Sequence, residues 1–218
     1  MKKLIIFDLD GTLINSVSDL AASTNYALEK LGLPTHDTDS YRFFVGNGVN
    51  KLLERALPEN LKNDDFIQKI KAIMLPYYSE HCTDKTAPYQ GIVDLLKQIV
   101  EKGIKVAVAS NKHHPATLEM VKYFFPDINF VAVMGQREGY PTKPDPIIVE
   151  DILKIANIDK KDTLYVGDTA VDIQTAKNAE VEIVAVTWGF RPISELEEQN
   201  PDRIVDSVEE LTKMILNK

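Results

Sequence analysis

Leu4-Ile5-Ile6-Phe7-Asp8-Leu9-Asp10-Gly11-Thr12-Leu13 decides how this chain folds. The stretch opens as a short apolar run of strand formers and ends in two carboxylates flanking a leucine, then a glycine. An apolar run of this length, bounded by glycine, reads as a strand buried on both faces. Asp8 and Asp10 then fall at its carboxyl end, where open α/β sheets keep their ligand crevice. Two carboxylates there repel each other and lose hydration unless something positive stands between them. Taken alone, the stretch reads equally as an ordinary strand-to-helix turn in which an aspartate caps a helix.

Downstream, Val17, Leu20, Ala21, Ala27, Leu28 and Leu31 recur at helical spacing. Ser16 and Asp19 form a capping-box-like start, and Gly32 a stop. Pro34 and a polar stretch follow. Phe43-Phe44-Val45-Gly46-Asn47-Gly48 then leads into a second amphipathic helix with Val49, Leu52, Leu53, Ala56 and Leu57. Pro58 to Asp65 reads as loop. Phe66, Ile67, Ile70, Ile73, Met74, Tyr77 and Tyr78 mark a third helix, which Pro76 is expected to kink. No strand is expected from Asn15 to about Cys82, and Thr83 to Gly91 reads as a linker.

The pattern then changes to alternation. Strands are expected at 104–109, 130–133, 163–167, 184–187 and 203–205. Helices are expected at 92–102, after Pro115, at 146–155, at 171–179 and at 208–216. Strands alternating with helices require parallel pairing through right-handed crossovers. The expected fold is therefore α/β: a doubly wound parallel sheet, Rossmann-like, with an all-helical insertion just after the first strand. Residues 1–14 and 84–218 would form the core, and residues 15–83 a cap over its acidic end.

Composition narrows the class. The 218 residues are 44% hydrophobic and 27% charged, the balance of an ordinary globular chain. A net charge of -8, with no basic stripe to offset it, argues against nucleic acid or an anionic membrane as partner. One cysteine, Cys82, excludes an internal disulfide and fits a reducing compartment. No apolar run approaches the ~18 residues of a membrane span, and Asp8 and Asp10 interrupt the first run before it resembles a signal peptide. A soluble cytoplasmic chain, monomer or homodimer, is expected.

Further polar residues fall at the same sheet edge. Ser110 and Asn111 end the second core strand, Lys143-Pro144 precedes a proline-started helix, Gly167-Asp168 follows a strand, and Asp172 lies one helical turn on. On a doubly wound sheet these loops converge. The chemistry they suit is phosphoryl transfer through an aspartyl-phosphate. A carboxylate attacking a phosphate dianion needs a hard cation between them, and a set of carboxylates without His or Cys favours Mg²⁺. Asp8 would be the nucleophile. Asp10 would protonate the leaving alkoxide and then deprotonate water. Asp168, a carboxylate oxygen of Asp8 and the backbone carbonyl of Asp10 would hold Mg²⁺, with Asp172 behind them. Ser110, the Asn111 backbone and Lys143, the one cation expected at this edge, would stabilise the phosphate oxygens.

Asp8-Leu9-Asp10-Gly11-Thr12, Ser110-Asn111, Lys143-Pro144 and Gly167-Asp168 with Asp172 resemble, in order, the four motifs of the haloacid dehalogenase-like hydrolase superfamily. The resemblance covers the whole chain. It implies a helical cap after the first strand and places Gly11 and Thr12 beside the phosphate. Asn15-Ser16, Asp19-Leu20, Val45-Gly46-Asn47-Gly48 with Leu53 and Arg55, and Val186-Thr187-Trp188-Gly189-Phe190 resemble the phosphoglycolate phosphatases within it. That implies a small phosphorylated substrate, 2-phosphoglycolate first. Asn15 stands where many relatives carry aspartate. True dehalogenases lack the second aspartate, so Asp10 favours phosphate chemistry.

Outside the core set, Gly46-Asn47-Gly48 reads either as an anion nest reaching the substrate or as a flexible helix entry. Arg55 is a candidate for a substrate carboxylate, and Lys51 a solvated helix face. His113 and His114 read as a helix start, His81 and Cys82 as packing, and Trp188 as crevice lining. Rival readings within the chemistry are a sugar phosphomutase or a pyrophosphatase. A phospho-accepting receiver domain needs neither Asp10 nor so large an insertion, and a non-catalytic binding protein would lose core residues that are all present.

Overall fold

Ile5 and Phe7 point to one face of the first strand and Leu4 and Ile6 to the other, and all four are fully buried. This strand, β1 (Leu4–Phe7), therefore needs cover on both sides. In the computed structural model, which describes residues 2–216, it lies in the interior of a six-stranded, wholly parallel sheet. Residues 1, 217 and 218 of the expected core lie outside that range.

The chain leaves β1 through β2 (Ile14–Asn15) into four helices: α1 (Val17–Lys30), α2 (Thr38–Phe44), α3 (Val49–Ala56) and α4 (Asp64–His81). It returns through β3 (Ala87–Pro88), which pairs antiparallel with β2. Then come α5 (Ile92–Glu101), β4 (Lys105–His113), α6 (His114–Phe124), β5 (Phe130–Gln136), α7 (Ile147–Ala156), β6 (Thr163–Gly167), α8 (Ala170–Asn178), β7 (Glu182–Val186), α9 (Ile193–Glu198), β8 (Arg203–Val205) and α10 (Val208–Leu216). The strand order β5-β4-β1-β6-β7-β8 makes β1 the strand where the winding changes direction. The crevice beyond its carboxyl end is where such sheets bind ligands. One core packs Ile5 and Phe7 with α1 to α6 and α10. The other packs Leu4 and Ile6 with α7, α8 and α9.

The doubly wound α/β fold agrees with the sequence, with local corrections. Residues expected as polar loop form α2, where Asp37 caps the helix by accepting from the Ser40 amide. The outgoing and returning segments pair as β2 and β3, although neither was expected to be a strand. Ser16 and Asp19 make no capping box. Ser16 donates to Asp10, and Asp19 accepts from the Lys85 and Thr86 amides and the Thr86 hydroxyl. This buried carboxylate thus ties the start of α1 to the returning chain beside the two-stranded ribbon. No helix among the described residues is long and apolar enough to cross a membrane.

Candidate active site

Asp8 follows directly on β1, its amide bonded to the Val166 carbonyl of β6. The turn that follows needs Gly11. Its φ is +89°, and a Cβ there would lie 2.3 Å from Asp168 Oδ2. Asp168, after β6, is buried; its Oδ1 accepts from the Thr12 hydroxyl at 3.0 Å and its Oδ2 from the Phe190 amide at 2.8 Å. Asp172 sits in the first turn of α8, where its Oδ2 closes a capping box with Thr169. The capping reading of Asp172 therefore holds, and its other oxygen faces a neighbouring lysine, Lys143.

One oxygen from each of Asp8, Asp168 and Asp172 lies within 4.8 Å of the other two. Burial, then the nearby Asp172 charge, pushes the Asp8 carboxyl up to about 7. Burial, Asp172 and Asp8 likewise hold Asp168 well above the carboxylate range. The neighbouring positive charge is Lys143, buried in the loop before α7. Its Nζ is 2.6 Å from Asp172 Oδ1 and 2.9 Å from Asp8 Oδ1. Burial alone would depress this ammonium, but Asp172 and Asp8 outweigh it and hold it well above the ordinary lysine value.

An ammonium has three N–H groups. Those of Lys143 are accounted for by Ala109 O at 3.0 Å, Tyr165 Oη at 3.1 Å and Asp172 Oδ1. Asp8 Oδ1 consequently has the charge beside it but no aligned hydrogen bond. A buried carboxylate oxygen without a donor, beside two further carboxylates, fits a divalent cation, and an all-oxygen set suits a hard one.

Asp10 turns the other way. Its Oδ1 accepts from the Ser16 hydroxyl at 2.5 Å, and both its oxygens lie 3.2 Å from Lys112 Nζ. The Asp10 side chain is thus outside the three-carboxylate cluster and faces a cavity of about 390 Å³ between the strand ends and α3 and α4. Asp8, Ser110, Asn111, Gly46 and Gly48 also line this cavity. The Asn111 side chain is occupied. It donates to Gly46 O and to Lys143 O and accepts from the Lys143 amide. Trp188 donates to the Thr12 carbonyl, pinning the turn from outside.

Asn47 and Arg55 do not line that cavity. They line a second recess with Thr169, Arg191 and Glu195. Arg55 donates to Phe43 O, Phe44 O and Asn47 Oδ1. His113 lines the cavity, His114 accepts from the Gly135 amide, and His81 pairs with Asp84.

Lys143 is not the one cation at this edge, as the sequence led us to expect. Lys112 was missed. Burial would lower its ammonium, but Asp10 and Tyr78 outweigh that and hold it above the ordinary value. Lys112 lies at the irregular end of β4, where its amide donates to Ser110 Oγ at 3.2 Å and both residues line the cavity. Arg191 was missed as well. It reaches from the loop after β7 to donate to Arg42 O, Phe43 O and Val45 O at the end of α2, and Arg42 donates back to Gly189 O.

The family model for haloacid dehalogenase-like hydrolases matches residues 5–186. The chain belongs to that family. It is 33% identical to a phosphoglycolate phosphatase of Pseudomonas syringae pv. syringae over 97% of this chain and 79% of that protein. It is 31% identical to one of Mesorhizobium japonicum, covering 97% and 93%. A candidate phosphoglycolate phosphatase solved from Lactobacillus delbrueckii subsp. bulgaricus superposes with a TM-score of 0.93 at 32% identity, covering all of both chains. Within its family the chain is phosphoglycolate phosphatase-like.

Proposed function

We propose that this chain, a phosphoric monoester hydrolase by family, releases phosphate from a small phosphorylated metabolite through a phosphoaspartate at Asp8, with 2-phosphoglycolate its first substrate. The observation that carries the reading is the buried group of Asp8, Asp168 and Asp172 around Lys143, with Asp8 Oδ1 left without a donor. Asp8, Asp168 and the backbone carbonyl of Asp10 would hold Mg²⁺, with Asp172 fixing Lys143 from behind. Bound there, the ion would neutralise repulsion between the carboxylate and the phosphate.

In the first step an Asp8 oxygen bonds to phosphorus, the bond to the leaving oxygen breaks, and Asp10 gives that oxygen its proton. In the second, water attacks phosphorus, Asp10 takes the water's proton, and the bond to Asp8 breaks to free phosphate. Ser110 and the backbone amides near Gly11 and Asn111 donate to the phosphate oxygens throughout, Lys143 acts through its charge beside Asp8, and the Thr12 hydroxyl stays on Asp168. Residues 15–83 act as a cap, with Gly46 and Gly48 on the cavity wall, and closure excludes water from the first step.

The test is acid-quenched trapping of labelled phosphate on the protein. Label on Asp8, absent in Asp8→Asn, is expected. That variant, still folded, should lose activity by about 10⁴-fold or more. Appreciable turnover by it contradicts the assignment.

A further inference from the structure

Lys112 is the only lysine or arginine lining the cavity among the described residues. Lys143 lies beneath the cavity with its donors spent, and Arg55 faces the other recess with its guanidinium on backbone carbonyls. Much of the remaining wall is apolar, from Val49 and Leu52 on α3 to Met74 and Leu75 on α4. Ser110 and Lys112 both line the cavity at the irregular end of β4, where the Lys112 amide donates to Ser110 Oγ at 3.2 Å. A short phosphate monoester seated at Asp8 and Ser110 therefore turns the far end of its alcohol toward the Lys112 ammonium. That ammonium is fixed from α4, donating to Tyr78 Oη at 2.7 Å, and is otherwise balanced by Asp10 at 3.2 Å.

We propose that Lys112 is the specificity-determining residue of the cavity and receives a carboxylate carried on the alcohol side of the substrate, exchanging part of its contact with Asp10 for the incoming anion. The inference rests on the phosphatase reading and deepens it. Ammonium–carboxylate contacts in a cavity closed from water are the strong class of hydrogen bond. With no other lysine or arginine among the lining residues and much of the wall apolar, an anionic group has no second cation to pair with. Tyr78 belongs to the helical insertion, so the recognition cation is held jointly by the insertion and the core.

The experiment compares kcat/KM for 2-phosphoglycolate and for 2-hydroxyethyl phosphate, which replaces the carboxylate by a neutral hydroxymethyl group of similar size. Wild-type protein, Lys112→Met and Lys112→Arg are assayed with Mg²⁺. Wild type should prefer the carboxylate by about tenfold or more. Lys112→Met should reduce that ratio by about 10- to 100-fold, mainly through KM for 2-phosphoglycolate, with Lys112→Arg retaining most of the preference. Equal losses on both substrates would assign Lys112 to holding Asp10 alone and overturn the proposal. Equal use of the two substrates by wild type overturns it without any variant, leaving the phosphatase reading standing. No release from either substrate overturns the proposal together with the 2-phosphoglycolate assignment, and the phosphatase reading is then decided by release from other phosphate esters.

Discussion

A Cβ on Gly11 would lie 2.3 Å from Asp168 Oδ2, and one on Gly189 2.2 Å from Asp168 Cβ. Two backbones thus close on the same carboxylate, which the Thr12 hydroxyl and Phe190 amide orient. Close backbone approach excludes water from Asp168, and this burial is the largest reason its carboxyl holds a proton so readily. Gly11→Ala should cost about 1–3 kcal/mol, because it adds a side chain at φ +89° and pushes Asp168 aside. Urea unfolding measures this, and an unchanged midpoint would contradict it. Asp8→Asn has the opposite effect on stability. It removes one of three clustered carboxylates, so the metal-free variant should melt higher than metal-free wild type even as activity disappears.

The elements legible in the sequence were those with continuous or periodic apolar runs. β1, β4, β6 and β7 are buried on both faces, and α1, α3, α4 and α5 carry clear stripes. Elements too short to show a period were not legible. β2 and β3 have two residues each, and α2 has seven. The convergence of Asp8 and Asp168 was legible because each directly follows a strand, β1 and β6, whose end the sheet topology fixes. Lys112 and Arg191 were not, since a lone cation in sequence looks the same whether it meets solvent or a carboxylate across the fold.

Arg191 shows what such a residue does at the scale of elements. It caps the last carbonyls of α2 with a cation, favourable at a helix carboxyl end, and it does so from the loop that also carries Phe190. The helical insertion and the support of Asp168 are therefore joined through one loop. Arg191→Met leaves those carbonyls unpaired, with an expected loss of about 1.5–3 kcal/mol read from the denaturation midpoint. A shift near zero would mean that water replaces the guanidinium.

Across the whole molecule, the acidic net charge offers no general attraction for an anionic substrate, so capture depends on local charge at the switch strand. The same cluster couples stability to pH. The Asp8 carboxyl sits at about 7 and that of Asp168 well above the carboxylate range, so the folded metal-free chain binds these protons more tightly than the unfolded chain does. The stability so contributed is complete below the ordinary carboxylate value near pH 4 and falls as pH rises through about 7. Metal-stripped protein should therefore lose Tm between about pH 5 and pH 8, and Mg²⁺ should raise Tm more at the higher pH. Equal Mg²⁺ effects at both would argue against binding at these carboxylates.

The most direct test of the central claim is phosphate release from 2-phosphoglycolate, sugar phosphates, nucleotides and pyrophosphate, each with Mg²⁺ and with the metal chelated. The account predicts release that requires Mg²⁺ and is strongest on 2-phosphoglycolate. Release that persists under chelation, or none from any phosphate ester, would contradict it.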